Sequence, residues 1–447
     1  MRSFKKKIAV AVAAAVVSIT AVPVMTATSA HAGTTINYWL WDSNQQPAYQ
    51  ACADAFQAKT GITVKVNQAG WGDYWNTIQT SLATGDGKVD VFTDHLAYYQ
   101  TFLNAKQIVD ISAGVKAAGV DTNQYQPGLV DVWGKNGGLY GLPKDFDTIA
   151  LAVNSNLATK AGFTANLLKT LRWNPTDGGT YTRMLKQLTV DKNGNNALSS
   201  KFDKNNVVTY GLSAPDPTDA WGQTYWSGLA ASNGFKYLDK NPWGTHYFYD
   251  SPKLAQVFDW IAKGIAGGWI MDPKKVGSLG KSQLFQAKKI ATSIVGDWEV
   301  GGLITIPSTP VAFYSQPSGP SGVKTMFNGL ADSISAKSSN QAADLQWVLF
   351  TGSTACQDIV ASKHIVFPAI KTSTLKAFAA FKAAGVDLSG FTNEVKPGVT
   401  FIPPMAENQP AVSQALTPFF TKIFSGQVGA QAGLTDANKA ANAALAG

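Results

Sequence analysis

The opening stretch of the chain has the pattern of a β-α-β unit. Residues 36–41 alternate with period two, and residues 48–59 then follow the 3.6-residue spacing of a helix. Gly61 ends this helix in the usual C-terminal manner, and residues 62–66 alternate again as a second strand. Two strands joined by a helix lie parallel, so the chain is predicted to build an α/β fold on a parallel sheet.

Further α/β units follow along the chain. A helix over residues 74–83 precedes a strand at 89–92, and buried strands are predicted at 148–153 and 290–295. With 447 residues, the chain is about three times the length at which one core is usually built. We therefore expect two α/β lobes with a cleft between them, because open α/β sheets bind their ligands in such a crevice.

Two segments are predicted to carry the chain between the lobes. Residues 139–143 follow a Gly-rich turn, and the Pro- and Gly-rich segment 316–322 is the second hinge candidate. The predicted N-terminal lobe comprises residues 33–147 and about 330–372. The predicted C-terminal lobe comprises residues 148–329 and about 373–447.

The N-terminus has the three parts of a secretory signal peptide. Basic residues at positions 2 and 5–7 precede the apolar residues 8–22, and a small-residue site ending at Ala32 follows. We expect cleavage after Ala32, where no cysteine stands to accept a lipid, and a mature protein outside the cytoplasm. The segment holds four of the 37 basic residues and none of the 29 acidic ones, so cleavage lowers the net charge from +8 to +4. That surplus is too dilute to predict nucleic-acid binding.

Two cysteines, Cys52 and Cys356, remain in a compartment that permits disulfides. Each has apolar neighbours at helical spacing, so both are expected to face a core. Two buried thiols on separate helices and one disulfide closing a loop of about 300 residues remain alternatives. The Cα separation that would decide between them cannot be read from the sequence.

The motifs of nucleotide, metal and acyl-transfer chemistry do not fit. Residues 277–282 resemble a phosphate loop, but two residues separate the glycines where four are needed. No G-x-S-x-G motif exists, and the three histidines after Ala32 lie more than 100 residues apart. The segment from Asp191 is either an Asx-rich turn or a nonstandard calcium loop, since Asn196 and Phe202 replace the required Gly and Glu. No cofactor and no metal ligand are predicted.

Asp145 and Asp147 are the most informative carboxylates. In an extended segment their side chains point the same way about 7 Å apart, which is within the window of an inverting glycosidase. Carboxylates also accept strong hydrogen bonds from sugar hydroxyls, or serve as structural hinge caps and ion-pair partners. We interpret the pair first as sugar-binding, then as structural and last as catalytic, because nothing nearby indicates a raised pKa.

The tryptophans exceed what a core requires. Of the 13 in the chain, three lie within amphipathic helices and are predicted to be core residues: Trp75, Trp260 and Trp347. Others stand at strand ends or among polar neighbours, where stacking on a sugar ring and ordinary packing remain alternatives: Trp41 beside Asp42, Trp298, and Trp221 with Tyr225.

Seven short motifs in a fixed order support a family resemblance. They are Trp41-Asp42, residues 59–64, residues 83–87 before Asp90-Val91, residues 140–143 before Asp147, residues 296–298, Asn328-Gly329 and the segment at Pro403. Each motif is weak alone, but their order and spacing behind a signal peptide are specific. The chain resembles, over nearly its whole mature length, the extracellular solute-binding proteins of ABC importers, family 1, which include maltose-binding protein.

The resemblance implies a periplasmic-binding-protein type II fold whose two lobes close over a sugar. It further implies a monomeric, non-enzymatic protein that delivers a mono- or short oligosaccharide to the permease subunits of an ABC importer. Fewer aromatic residues than is usual follow Pro403, which favours a small ligand. From the resemblance and the carboxylate pair, the predicted ligand-binding residues are Trp41, Asp42, Gln45, Asp94, His95, Asp145, Asp147, Trp221, Tyr225, Asp297, Trp298 and Asn408.

Two other functions are weighed against this leading hypothesis. The alternative from the enzyme class is a secreted glycosidase that uses Asp145 and Asp147. The second is the same fold with another kind of ligand. A polyamine would require clustered acidic side chains, a metal would require several histidines, and a phosphorylated compound would require clustered arginines. The dispersed charges of the sequence favour none of these ligands.

Overall fold

The computed structural model describes residues 33–447, in which two five-stranded sheets are surrounded by helices. The predicted signal peptide, residues 1–32, lies outside the described residues. Strands and helices alternate through the first part of the range, as the sequence pattern predicts. Within residues 33–447, no helix is both long and apolar enough to cross a bilayer.

The first sheet starts with the predicted β-α-β unit. Thr35–Leu40 and Thr63–Gln68 pair in parallel, and the intervening helix Gln46–Thr60 ends at Gly61, whose φ of 75° suits a residue without a side chain. Val91–Asp94 pairs in parallel with the other edge of the first strand. The order across this sheet is Thr63–Gln68, Thr35–Leu40, Val91–Asp94, Ala331–Ile334 and Leu142–Pro143. Ala331–Ile334 runs antiparallel to both of its neighbours, so the sheet is mixed.

The second sheet is also mixed. Its central strand Ile290–Gly296 is buried along its whole length, and it runs parallel to one neighbour and antiparallel to the other. The order across the sheet is Val311–Tyr314, Ile149–Asn154, Ile290–Gly296, Val207–Leu212 and Val190–Asp191. The completely buried strands explain why the sequence shows continuous apolar runs here instead of alternation.

Helices cover both sheets and form two hydrophobic cores. Trp347 lies in the first core and Trp260 in the second, while Trp75 is also buried, so all three predicted core tryptophans are confirmed. The helices of eight or more residues are Gln46–Thr60, Trp71–Thr84, Gly179–Leu188, Pro252–Ala266, Gln341–Thr351, Thr354–Ala361, Lys371–Ala383, Gln409–Phe424 and Ala430–Ala446. The shorter helices are Tyr99–Asn104, Ser112–Ala117, Ser155–Lys160, Ala165–Leu168, Ser227–Ser232, Lys281–Gln286, Val300–Ile304 and Ser389–Thr392.

The chain passes between the sheets along crossover segments. Residues 144–148 lead from the first sheet to the second, and residues 327–330 lead back. Two-residue strands reinforce them: Asp145–Phe146 pairs with Phe367–Pro368, and Thr325–Met326 pairs with Thr400–Phe401. The sequence predicted the first crossing at residues 139–143, and the observed crossing begins directly after that segment, at residue 144.

The second hinge prediction, residues 316–322, is wrong. Ser318 forms a bridge with Arg172, and its carbonyl accepts the Trp173 N–H at 2.9 Å, so this segment packs within the second lobe. The predicted lobe boundaries remain a prediction. Lys371–Ala383, close to the boundary near 372, packs against Thr354–Ala361.

A disulfide joins Cys52 and Cys356, with a Cα separation of 5.2 Å. Both residues are completely buried, as their helical spacing predicts. The bond ties the helix Gln46–Thr60 to the helix Thr354–Ala361 across 304 residues of chain. Of the two alternatives that the sequence left open, the structure therefore contains the disulfide.

Candidate functional site

A cavity of about 530 Å³ lies where the two lobes and the crossovers meet. It opens at the edge of the first sheet where the parallel strands end, which is the expected ligand position in an α/β sheet. The lining residues are Trp41, Asp42, Gln45, Trp71, His95, Ala97, Tyr98, Asp145, Phe146, Asp147, Asp216, Thr218, Asp219, Ala220, Trp221, Gln223, Thr224, Trp298, Asn328, Leu330, Val366, Gln409, Pro410 and Ser413.

The wall contributed by the first lobe is aromatic. Trp41 follows the first strand and Trp71 follows the second, and their rings meet edge to face with centroids 5.1 Å apart. Behind them, Trp75 stacks on Tyr98 at 3.7 Å, which holds the wall in place. The Trp71 side chain is 46% exposed and so presents apolar surface to a ligand. The sequence interpretation missed Trp71, although its place after a parallel strand was a usable signal.

His95 and Trp221 face each other from opposite lobes. Their ring planes differ by 12° and their centroids lie 5.2 Å apart. Burial lowers the pKa of His95 to about 3, so the ring is neutral at physiological pH. Its Nδ1 accepts the Ala97 N–H at 3.1 Å, and its Nε2 lies 3.1 Å from Nδ2 of Asn328. The stack places two predicted residues at one point of contact between the lobes.

Trp298 forms part of the wall on the side of the second lobe. It follows the strand Ile290–Gly296, which the sequence predicts to end at this edge. A Cβ atom at Gly296 would overlap the indole ring of Trp298. The glycine is therefore required here to leave room for the ring in its present orientation.

Two buried carboxylates from the first crossover form the floor of the cavity. Asp147 accepts hydrogen bonds from Gln223 Nε2 at 2.9 Å and from Asn328 Nδ2 at 3.2 Å. Burial raises the pKa of Asp147, and the nearby charge of Asp145 raises it further. Asp145 Oδ1 accepts the Leu330 N–H at 3.1 Å, and burial raises the pKa of Asp145 to about 7. The carboxylate pair thus joins both crossovers and, through Gln223, the second lobe.

Further acidic residues lie at the rim. Asp42 accepts a hydrogen bond from Gln45 Nε2 at 3.2 Å, so these two predicted residues support each other. Asp216 and Asp219 belong to the loop after the strand Val207–Leu212, and burial together with the charge of Asp216 raises the pKa of Asp219 to about 6. This loop also follows a strand, which is the signal that the sequence interpretation overlooked.

Two predicted ligand residues, Asp94 and Asp297, are buried outside the cavity lining, and their role in ligand binding stays a prediction. Asp94 accepts the His95 N–H at 2.8 Å and the Ser333 hydroxyl at 3.1 Å, so it holds the loop that carries His95. Asp297 accepts the Thr148 N–H at 3.3 Å and the Phe367 N–H at 3.2 Å. It therefore fixes two backbone segments at the crossovers.

Tyr225 and Asn408 also lie outside the lining residues. Tyr225 is buried in the core of the second lobe, and its hydroxyl lies 3.5 Å from the Ser213 hydroxyl. Asn408 takes a left-handed conformation before the helix Gln409–Phe424 and donates to the Leu445 carbonyl at 3.3 Å. Its neighbour Gln409 lines the cavity instead, and this shift of one residue depends on helix packing that the sequence pattern does not show.

Residues 33–447 contain no group of three or more His, Cys, Asp or Glu side chains arranged to hold a metal ion. At the segment from Asp191, the carboxylate accepts the backbone N–H groups of Asn193, Asn195 and Asp203. The structure therefore shows the Asx-rich turn that the sequence left as one alternative.

Two lobes around a shared cavity are the architecture of a ligand-binding protein with the type II periplasmic-binding fold. Residues 51–385 match the family model of the bacterial extracellular solute-binding proteins, so the chain belongs to this family. The family and these structural relatives are binding proteins. No relative was found among curated proteins.

Several solved structures share the fold. UspC of M. tuberculosis is 24% identical with a TM-score of 0.71, and the match covers 92% of this chain and 100% of UspC. Lmo0181 of Listeria monocytogenes, solved with cycloalternan, is 18% identical with a TM-score of 0.79, covering 92% and 98%. GacH of Streptomyces glaucescens, solved unliganded and with acarbose, is 17% identical with a TM-score of 0.75, covering 92% and 98%.

Proposed function

We propose that this protein is the carbohydrate-binding component of an ABC importer, which captures a mono- or short oligosaccharide and delivers it to the permease. The observation that carries the proposal is the composition of the cavity. The cavity is lined by indole rings from both lobes together with carboxylate and amide groups: Trp41, Trp71, Trp221 and Trp298 supply the rings. Flat apolar faces suit the C–H faces of a sugar ring, and charged acceptors bind its hydroxyl groups strongly.

The size of the cavity and the relatives support the same function. About 530 Å³ falls within the roughly 300–1,000 Å³ of small-ligand sites. Structural relatives were solved with cycloalternan, with acarbose and with mannobiose. Membership of an extracellular solute-binding family supports a site of action outside the cytoplasm and transfer to a permease.

The positions of the lining residues support closure of the lobes over the ligand. Trp71 belongs to the first lobe, Gln223 to the second and Asp147 to the crossover between them. A ligand that contacts all three gains affinity only when the lobes are closed. Its differential affinity for that state shifts the population towards closure.

A panel of neutral and substituted sugars, titrated while tryptophan fluorescence and melting temperature are followed, tests this function. Trp298→Ala and Asp147→Ala should each weaken binding at least tenfold, or about 1.4 kcal/mol, without unfolding. Trp39→Ala and Asp259→Asn are matched controls, because neither residue lines the cavity. The sugar assignment fails if no carbohydrate at millimolar concentration changes either signal.

The glycosidase alternative is tested in parallel. The raised pKa of Asp145 would suit a general acid. Against it, both oxygens of Asp147 already accept protein hydrogen bonds, which leaves little freedom for a catalytic base. Turnover of aryl glycosides by the purified protein, and its loss in Asp147→Asn, would replace the binding function by an enzymatic one.

A further inference from the structure

The charge of the cavity lining is one-sided. Over the part of the chain that the structure describes, the lining includes five aspartates and no lysine or arginine. The whole chain, in contrast, carries an excess of basic residues, 37 against 29 acidic ones. The aspartates come from separate parts of the sequence and meet only in the fold: Asp42, Asp145, Asp147, Asp216 and Asp219.

Asp145 lines this cavity and has an acceptor that no protein donor uses. Its side chain is 2% exposed, and Oδ1 accepts the Leu330 N–H. Oδ2 has no hydrogen-bond partner among residues 33–447. A buried carboxylate oxygen without a donor costs free energy, so a ligand donor that reaches the Asp145 carboxylate would be stabilising.

The nearest cation does not fill this role. Lys144 adjoins Asp145 in sequence, but its Nζ lies 3.2 Å from Asp332 Oδ1 and donates to the hydroxyls of Tyr38 at 2.8 Å and Thr93 at 2.6 Å. Lys144 thus pairs with Asp332 in the first lobe, and its charge only partly offsets the burial that raises the pKa of Asp145. Among residues 33–447, no lysine or arginine forms a salt bridge with a cavity aspartate, and burial keeps the pKa of Asp145, Asp147 and Asp219 raised.

A neutral sugar would satisfy only part of this site. Hydroxyl groups supply hydrogen-bond donors, but after closure over a neutral ligand the buried carboxyl groups would either stay protonated or carry a charge with no positive partner. A protonated amine supplies donors and the opposite charge together. Trp41 and Trp71 line the same cavity, and indole faces attract cations.

We propose that the ligand is an amine-bearing sugar whose protonated nitrogen pairs with the Asp145 carboxylate. This inference rests on the proposed function, since it specifies the class of sugar for the same cavity. A linear polyamine would also match the charge. The amide side chains of Gln45, Gln223 and Asn328 and the indole rings instead match a hydroxylated ring, so the amine-bearing sugar is the better match.

Calorimetric titration at about pH 7 compares three forms of each of glucose, galactose and mannose: the parent sugar, its 2-amino derivative and its 2-N-acetylamino derivative. Spermidine is the polyamine probe. The amino form of at least one hexose should bind at least tenfold more tightly than both neutral forms, with the preference reduced by salt. Asp145→Asn should abolish the preference, whereas Asp259→Asn, on the exposed face of Pro252–Ala266, should retain it.

The outcomes separate this inference from the function on which it rests. Equal or tighter binding of the neutral forms overturns the amine-bearing ligand but leaves sugar binding intact. Binding of spermidine alone, or of no ligand in the panel, overturns both. A preference that survives in Asp145→Asn overturns the placement of the amine. The comparison of neutral and amino forms on the wild-type protein keeps the test valid if that variant does not fold.

Discussion

Loss of the disulfide between Cys52 and Cys356 should destabilise the first lobe by several kcal/mol. A cross-link stabilises mainly by restricting the unfolded chain, and the effect grows with the length of the closed loop. For the 304 residues enclosed here, the chain-entropy relation gives about 5–6 kcal/mol at 25 °C. Both cysteines are completely buried on helices that cover the first sheet, so the cost should fall on that lobe.

The assay is urea and thermal unfolding of the wild type, of the single variant Cys52→Ala and of the double variant Cys52→Ala/Cys356→Ala. The average unfolding entropy per residue converts a loss of about 5–6 kcal/mol into a fall in melting temperature. The fall is about 6 °C if residues 33–447 unfold together, and about twice as large if one lobe unfolds alone. The single variant is the matched control for packing. If the cross-link carries the effect, the single and double variants should lose nearly equal free energy.

Two results would refute this reasoning. A double variant that unfolds within about 1 kcal/mol of the wild type would show that the enclosed loop contributes little entropy. A single variant that loses much less than the double variant would assign the effect to side-chain packing and not to the covalent bond. Titration of free thiols in the denatured, unreduced wild type checks that the bond is present before either comparison is made.

Two further predictions concern the cavity. Burial raises the folded-state pKa of Asp145 to about 7, whereas the unfolded chain has a pKa of about 4 for this group. The folded state therefore binds the proton more tightly, and its stability falls by about 4 kcal/mol as the pH rises from about 4 to 7. Unfolding curves at pH 5 and 8 should therefore differ less in Asp145→Asn than in the wild type, and equal differences would contradict the burial argument. Gly296→Ala should displace the Trp298 ring and weaken ligand binding about tenfold or more. The control Gly194→Ala, a substitution in an open surface turn, should leave the affinity unchanged. Unaltered affinity in Gly296→Ala would show that the ring is not required in its present position.

The sequence predicted the local elements well where a periodic pattern extends over a whole element. The helix predicted at 48–59 is Gln46–Thr60, and the strand predicted at 290–295 is Ile290–Gly296. The hinge at 316–322 failed because its Pro and Gly residues indicate a turn but not which lobe the turn packs against. The true crossing at 327–330 has short pairings and weak local signals.

The candidate site was predictable to the extent that it follows strand ends. Trp41, His95 and Trp298 follow predicted strands, and all line the cavity. Asp297 follows such a strand too, but its carboxylate turns to the backbone N–H groups of Thr148 and Phe367. Adjacent residues in a short helical turn point in different directions, and sequence spacing alone does not decide which side chain faces the ligand.

The crossovers show why carboxylates accumulate at this site. Strands of two residues satisfy few backbone groups, and the remaining N–H groups need side-chain acceptors. Asp145 accepts from Leu330, and Asp297 accepts from Thr148 and Phe367, so these carboxylates hold crossover backbone that no long ladder holds. Asp145 lines the cavity at the same time. A cation bound there would stabilise the charged form of a group that also fixes the crossover backbone, so ligand binding would act directly on the segment that joins the lobes.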